Sequence, residues 1–128
     1  MTNGKVILYI EDDDESRMLV RRILQAEGFT VWEADGASQA LESLQQLIPD
    51  LILMDINLPE VDGYTLTTRL KSTPGLEKVP IVAITANVMK GDRERSLQAG
   101  CDEYIQKPID VDNLGKQLIR LLTTEGPP

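Results

Sequence analysis

The chain has 128 residues, the size of one domain, with 41% hydrophobic and 27% charged residues, a soluble globular balance. Lys and Arg number 13 against 21 Asp and Glu, so the formal net charge is −8, which repels nucleic acid backbones and anionic membrane surfaces. With no histidine and a single cysteine, Cys101, a Ser-His-Asp or Cys-His site, an intrachain disulfide, an ordinary Cys/His zinc site and a phosphohistidine carrier are excluded.

The N-terminus runs from MTNGK directly into VILYI, an apolar run too short for a membrane span and without a signal-peptide cleavage region after it. A lone cysteine makes the reducing cytoplasm the expected location. Short apolar, β-branched runs are expected as strands at Val6 to Ile10, Thr30 to Ala34, Leu51 to Met54, Ile81 to Thr85 and, weakly, Tyr104–Ile105. Segments with helical spacing separate them. Leu19, Val20, Ile23 and Leu24 form one stripe, and Ala37, Ala40, Leu41, Leu44 and Ile48 a second. Leu66 and Leu70 form a third, and Val111, Leu114, Leu118 and Leu121 the last. Met89 to Ala99 is only weakly amphipathic but ends at Ala99–Gly100, a helix stop, as Gly28 is for the first helix. Residues 123–128 read as a frayed tail or the start of a linker, which leaves a core of about 5–122 in a single domain.

Five alternations of strand and helix predict an α/β doubly wound (βα)5 fold with a parallel sheet. In such sheets ligands bind outside the carboxyl ends of the strands. The first strand is followed by Glu11, Asp12, Asp13, Asp14 and Glu15, the third by Asp55, the fourth ends in Thr85–Ala86, and the fifth leads into Lys107–Pro108. Carboxylates gathered at one rim repel each other and call for a cation. Oxygen ligands without His or Cys favour a hard ion, and few protein ligands with open positions suit Mg2+. Lys107 and Thr85 supply a positive charge and a hydroxyl, parts that bind phosphoryl oxygens. Asp55, at the end of a buried apolar strand, is then the natural phosphoryl-accepting nucleophile. Asp13, Asp14 and Glu15 read as residues of a helix start, and Asp62 as a cap before Gly63. Cys101 reads as a small buried filler.

The segments VILYIEDD, Arg17, DLILMDINLPEVDG, IVAITA and GCDEYIQKP, in this order and spacing, resemble a response-regulator receiver domain, the phospho-accepting module of two-component signalling. The resemblance spans about Lys5 to Leu122. It implies a five-stranded sheet of flavodoxin-like order 2-1-3-4-5. It implies Asp55 as the phosphoacceptor and, as the Mg2+ site, Glu11 through water, Asp12 directly, Asp55, and the backbone carbonyl of Asn57. Thr85, the N–H of Ala86 and Lys107 would hold phosphoryl oxygens, Lys107–Pro108 would be a cis peptide, and Tyr104 would be a switch aromatic moving with Thr85. Asn57 and Asn87 fall at positions that tune phosphoryl lifetime in the family. The implied partners are a histidine kinase or histidine phosphotransfer protein and a downstream protein target, with a phosphorylation-dependent dimer allowed and no direct nucleic acid or membrane binding. The domain would be a switch that catalyses its own phosphorylation and dephosphorylation, not an enzyme.

The competing readings are a non-phosphorylated interaction module of the same fold, a haloacid-dehalogenase-like phosphatase and a flavodoxin-like FMN binder. The phosphatase lacks its second Asp, since Asn57 stands two positions after Asp55. The FMN binder needs a phosphate loop after the first strand, where this chain has five acids.

Overall fold

The computed structural model of the chain describes residues 4–56, 58, 62–85 and 92–124. Strands and helices alternate as β1 (Val6–Ile10), α1 (Asp14–Ala26), β2 (Thr30–Ala34), α2 (Ala37–Gln46), β3 (Leu51–Asp55), α3 (Gly63–Lys71), β4 (Ile81–Thr85), α4 (Asp92–Ala99), β5 (Glu103–Gln106) and α5 (Leu114–Thr124). The five strands form one parallel sheet in the order β2-β1-β3-β4-β5, as expected. Sequential strands in parallel need a crossover, and α1, α2, α3 and α4 each supply one.

The central strands are apolar throughout because both faces of the sheet are covered. Alternation sorts their side chains into two cores. Leu8, Ile10, Ile52, Met54, Ile81 and Ala83 face α2 and α3, where Ala37, Ala40, Leu66 and Leu70 meet them. Ile7, Leu51, Leu53, Val82, Ile84 and Ile105 face α1 and α5, against Val20, Leu24, Leu114 and Leu118. Phe29 belongs to the second core, and Trp32 packs half-buried against the first.

Local chemistry sets the helix ends. Asp13 caps α1, accepting from the Ser16 N–H, with Asp14 and Glu15 in the first turn, and Asp62 caps α3 by accepting from the Tyr64 N–H. Gly28 and Gly100, with φ of 97° and 112°, turn the chain out of α1 and α4 in the left-handed region that glycine tolerates.

Three apolar stripes are shorter than the periodicity predicts. Ile48 lies beyond the end of α2 and Val111 before the start of α5, so neither shares its helix's buried face, and both are exposed. Leu19 is also exposed, because Val20 and Leu24, one turn apart, take the inward row of α1 and leave Leu19 at its edge. At the other end, α5 extends to Thr124, past the expected core limit. Among the described residues no helix is long and apolar enough to cross a membrane.

Gly63 opens α3 where backbone meets backbone. Its N–H donates to the Ile56 carbonyl at 3.1 Å, and a Cβ there would lie 2.6 Å from the Ile56 Cα and 2.8 Å from its oxygen. Gly63→Ala therefore forces a shift in the segment that follows Asp55. It is expected to lower stability by about 1–3 kcal/mol, despite the gain in helix propensity of roughly 1 kcal/mol. Urea denaturation would show this as a lower midpoint at unchanged slope, and a variant as stable as the parent would contradict the close approach.

Candidate functional site

The parallel register brings the carboxyl ends of β1, β3, β4 and β5 to one rim. Glu11 follows β1 directly and Asp55 is the last residue of β3, both on the face that continues Ile7, Tyr9, Leu51 and Leu53. Glu11 is fully buried, Asp55 is 4% exposed, and Asp12 is exposed. One carboxylate oxygen from each of the three lies within 4.8 Å of the others. Lys107 enters from just beyond β5, with its Nζ 3.1 Å from Glu11 Oε1 and 3.3 Å from Asp55 Oδ2. The Lys107 backbone N–H donates to the Thr85 carbonyl at 2.8 Å, which ties the two strand ends together, and the Lys107–Pro108 peptide is cis.

The pocket holds more negative charge than its lysine offsets. Burial, with the neighbouring Asp55 carboxyl second, pushes Glu11 up to about 7. Burial alone would pull the Lys107 ammonium down, but the carboxylates of Asp55 and Glu11 outweigh it and hold it above its usual range. A set of three carboxylates, two of them buried, with an all-oxygen donor set fits a hard divalent ion.

The loop bearing the acids is held from outside. Arg17 Nη1 donates to the Glu11 carbonyl at 2.8 Å, while its Nε bonds Glu33 at 3.2 Å and its Nη2 bonds Asp14 at 2.6 Å. Inside the pocket, the Asp13 N–H donates to Glu11 Oε2 at 3.2 Å and the Tyr9 hydroxyl to Glu11 Oε1 at 3.3 Å. Residue pattern marks Arg17 only as part of a motif and Tyr9 only as part of an apolar run, and predicts neither of these contacts. The available signal was spacing, since Tyr9 stands two residues before Glu11 on the same strand face.

Thr85 is buried at the end of β4, one residue past Ile84, the register partner of Asp55. Its alternation follows Ala83 onto the α3 face, where the half-buried Tyr104 of β5 also packs. Cys101 is a buried free thiol with its Sγ 3.7 Å from Thr67 Oγ1. Asn57, Ala86 and Asn87 lie outside the described residues. Beside Lys107, a groove of about 230 Å³ is lined by Ser16, Leu19, Val20, Lys107, Pro108 and Ile109.

The family model of the response regulator receiver domain matches residues 7–119. The polar-differentiation response regulator DivK of Brucella ovis is 42% identical over 107 residues, 84% of this chain and 87% of that protein. Among solved structures, the receiver domain of a sensor histidine kinase of Pseudomonas aeruginosa, described with a magnesium ion coordinated in its active site cleft, is 36% identical. Its TM-score is 0.86 over 94% of this chain and 98% of that one. A putative response regulator from Chloroflexus aurantiacus matches with a TM-score of 0.90 at 27% identity, over 94% and 99% of the two chains. With the same strand order and an acidic pocket at the same rim as the resemblance implies, this chain belongs to the receiver-domain family of two-component response regulators, a family of signalling switches.

Proposed function

We propose that Asp55 accepts a phosphoryl group from the phosphohistidine of a partner histidine kinase or histidine phosphotransfer protein. The observation that carries this reading is the buried Asp55 carboxylate beside Glu11 and Asp12, with Lys107 Nζ 3.3 Å from its Oδ2. An Asp55 oxygen bonds to phosphorus as the phosphorus–nitrogen bond breaks, and the histidine nitrogen keeps that electron pair. Lys107 faces the oxygens of the transferring group. Asp12, Glu11, Asp55 and the Asn57 carbonyl would hold Mg2+, which when bound offsets charge on the phosphoryl group. Water attack on the acyl phosphate returns the domain to its resting form.

Three further features support a switch. Thr85 and Tyr104 share a sheet face, so a Thr85 hydroxyl drawn to the phosphoryl group alters the packing offered to Tyr104. Such a change shifts a balance between two states at the surface of α4, β5 and α5, which a downstream protein or a second copy of the domain would read. The groove beside Lys107, lined in part by the exposed Leu19, offers the phosphoryl donor an apolar seat near Asp55. A single buried free thiol fits a cytoplasmic setting.

Incubation with acetyl phosphate and Mg2+, followed by mass spectrometry of the intact protein, should add one phosphoryl group to the chain and none to Asp55→Asn. Equal gain in both, or none in either, would sink the assignment.

The pocket also makes the ion-free protein pH-sensitive. Glu11 is raised from an ordinary 4.5 to about 7 in the fold, so its contribution to stability is complete below pH 4.5 and is lost as pH rises through 7. Glu11→Gln stays neutral and escapes that loss. In chelator, the melting temperature of Glu11→Gln relative to the parent should therefore rise from pH 5 to pH 8, and Mg2+ should stabilise the parent more at the higher pH. A difference that stays flat across this range would contradict the raised Glu11.

A further inference from the structure

Tyr9 has no part in the chemistry proposed above, yet it is bound into the pocket. It lies next to the carboxyl end of β1, fully buried in the core of Ile7, Val20, Leu24 and Leu53. A hydroxyl buried there requires an acceptor. Among the described residues its hydrogen bond goes to Glu11 Oε1 at 3.3 Å. Burial, and then the Glu11 carboxylate, push the phenol far above its ordinary range, so the hydroxyl keeps its proton and remains a donor.

Glu11 needs such a donor. A glutamate carries one methylene more than an aspartate, and the added torsion lets its carboxylate take several orientations. Among the described residues three donors limit them, Tyr9 and Lys107 on Oε1 and the Asp13 N–H on Oε2, beside a side-chain hydrogen bond with Asp55. Lys107 is shared with Asp55, and the Asp13 N–H belongs to the loop after β1. Tyr9 alone of the three projects from the sheet itself.

We propose that Tyr9 is a positioning residue whose hydroxyl, donating to Glu11 Oε1, fixes the longer acidic side chain in the orientation that the Mg2+ site requires. This rests on reading the pocket as a Mg2+ site. Removing the hydroxyl leaves the fold and the carboxylates in place but frees the Glu11 carboxylate to turn. Shortening Glu11 to Asp withdraws its oxygens by about one carbon–carbon bond, roughly 1.5 Å, beyond reach of Tyr9.

The test is a double-mutant cycle on the full chain, with Mg2+ affinity measured by calorimetry and phosphoryl gain from acetyl phosphate followed in parallel. Tyr9→Phe should weaken Mg2+ binding about three- to tenfold, the worth of one hydrogen bond. In a Glu11→Asp chain the same substitution should change affinity by less than about twofold, because the partner is already out of reach. Equal losses in both backgrounds would mark a general packing effect and overturn the positioning role. So would an unchanged affinity in Tyr9→Phe. A parent chain that neither binds Mg2+ nor gains phosphoryl mass would instead remove the Mg2+ reading of the pocket, and the role of Tyr9 would fall with it.

Discussion

Two carboxylates that almost no water reaches, Glu11 and Asp55, share the Lys107 ammonium. Much of the rim is organised around that imbalance. Buried charges of one sign persist only where partners are supplied. The fold recruits a lysine from 96 positions away, and the chain on either side of Glu11 adds an N–H from Asp13 and a hydroxyl from Tyr9. Arg17 adds a fourth tie by holding the Glu11 backbone, and is itself held by Glu33 and Asp14. The parallel sheet makes this convergence possible because all its strands end at the same rim.

The same imbalance explains why the site was legible in residue types alone. An acid that ends an apolar run has no solvent to excuse it, so Asp55 stands out. Five acids after β1 stand out for the same reason, and burial then divides them. Glu11 turns inward, Asp13 caps α1, and Asp14 and Glu15 stay in the first turn at the surface. Strand positions were readable because β1, β3 and β4 are covered on both faces and lose their polar alternation.

What the sequence hid has physical causes as well. Periodicity locates a stripe but not where the helix under it stops, so it assigns Ile48 and Val111 to faces they do not reach. An arginine that binds a backbone carbonyl leaves no trace in residue pattern, since every residue has a carbonyl. Tyr9 was concealed by its own ring, which packs as a hydrophobe in the core while its hydroxyl serves the pocket.

The path of Lys107 across the sheet has a mechanical meaning. β5 is a four-residue edge strand whose ladder partner is β4. Lys107, just beyond it, reaches past β4 to the carboxylates at the ends of β3 and β1. The outermost strand is thus moored to the middle of the sheet by charge as well as by its ladder. Any event that changes the charge of the pocket changes the tension on that mooring. The border of the sheet becomes a gauge of what happens at its centre.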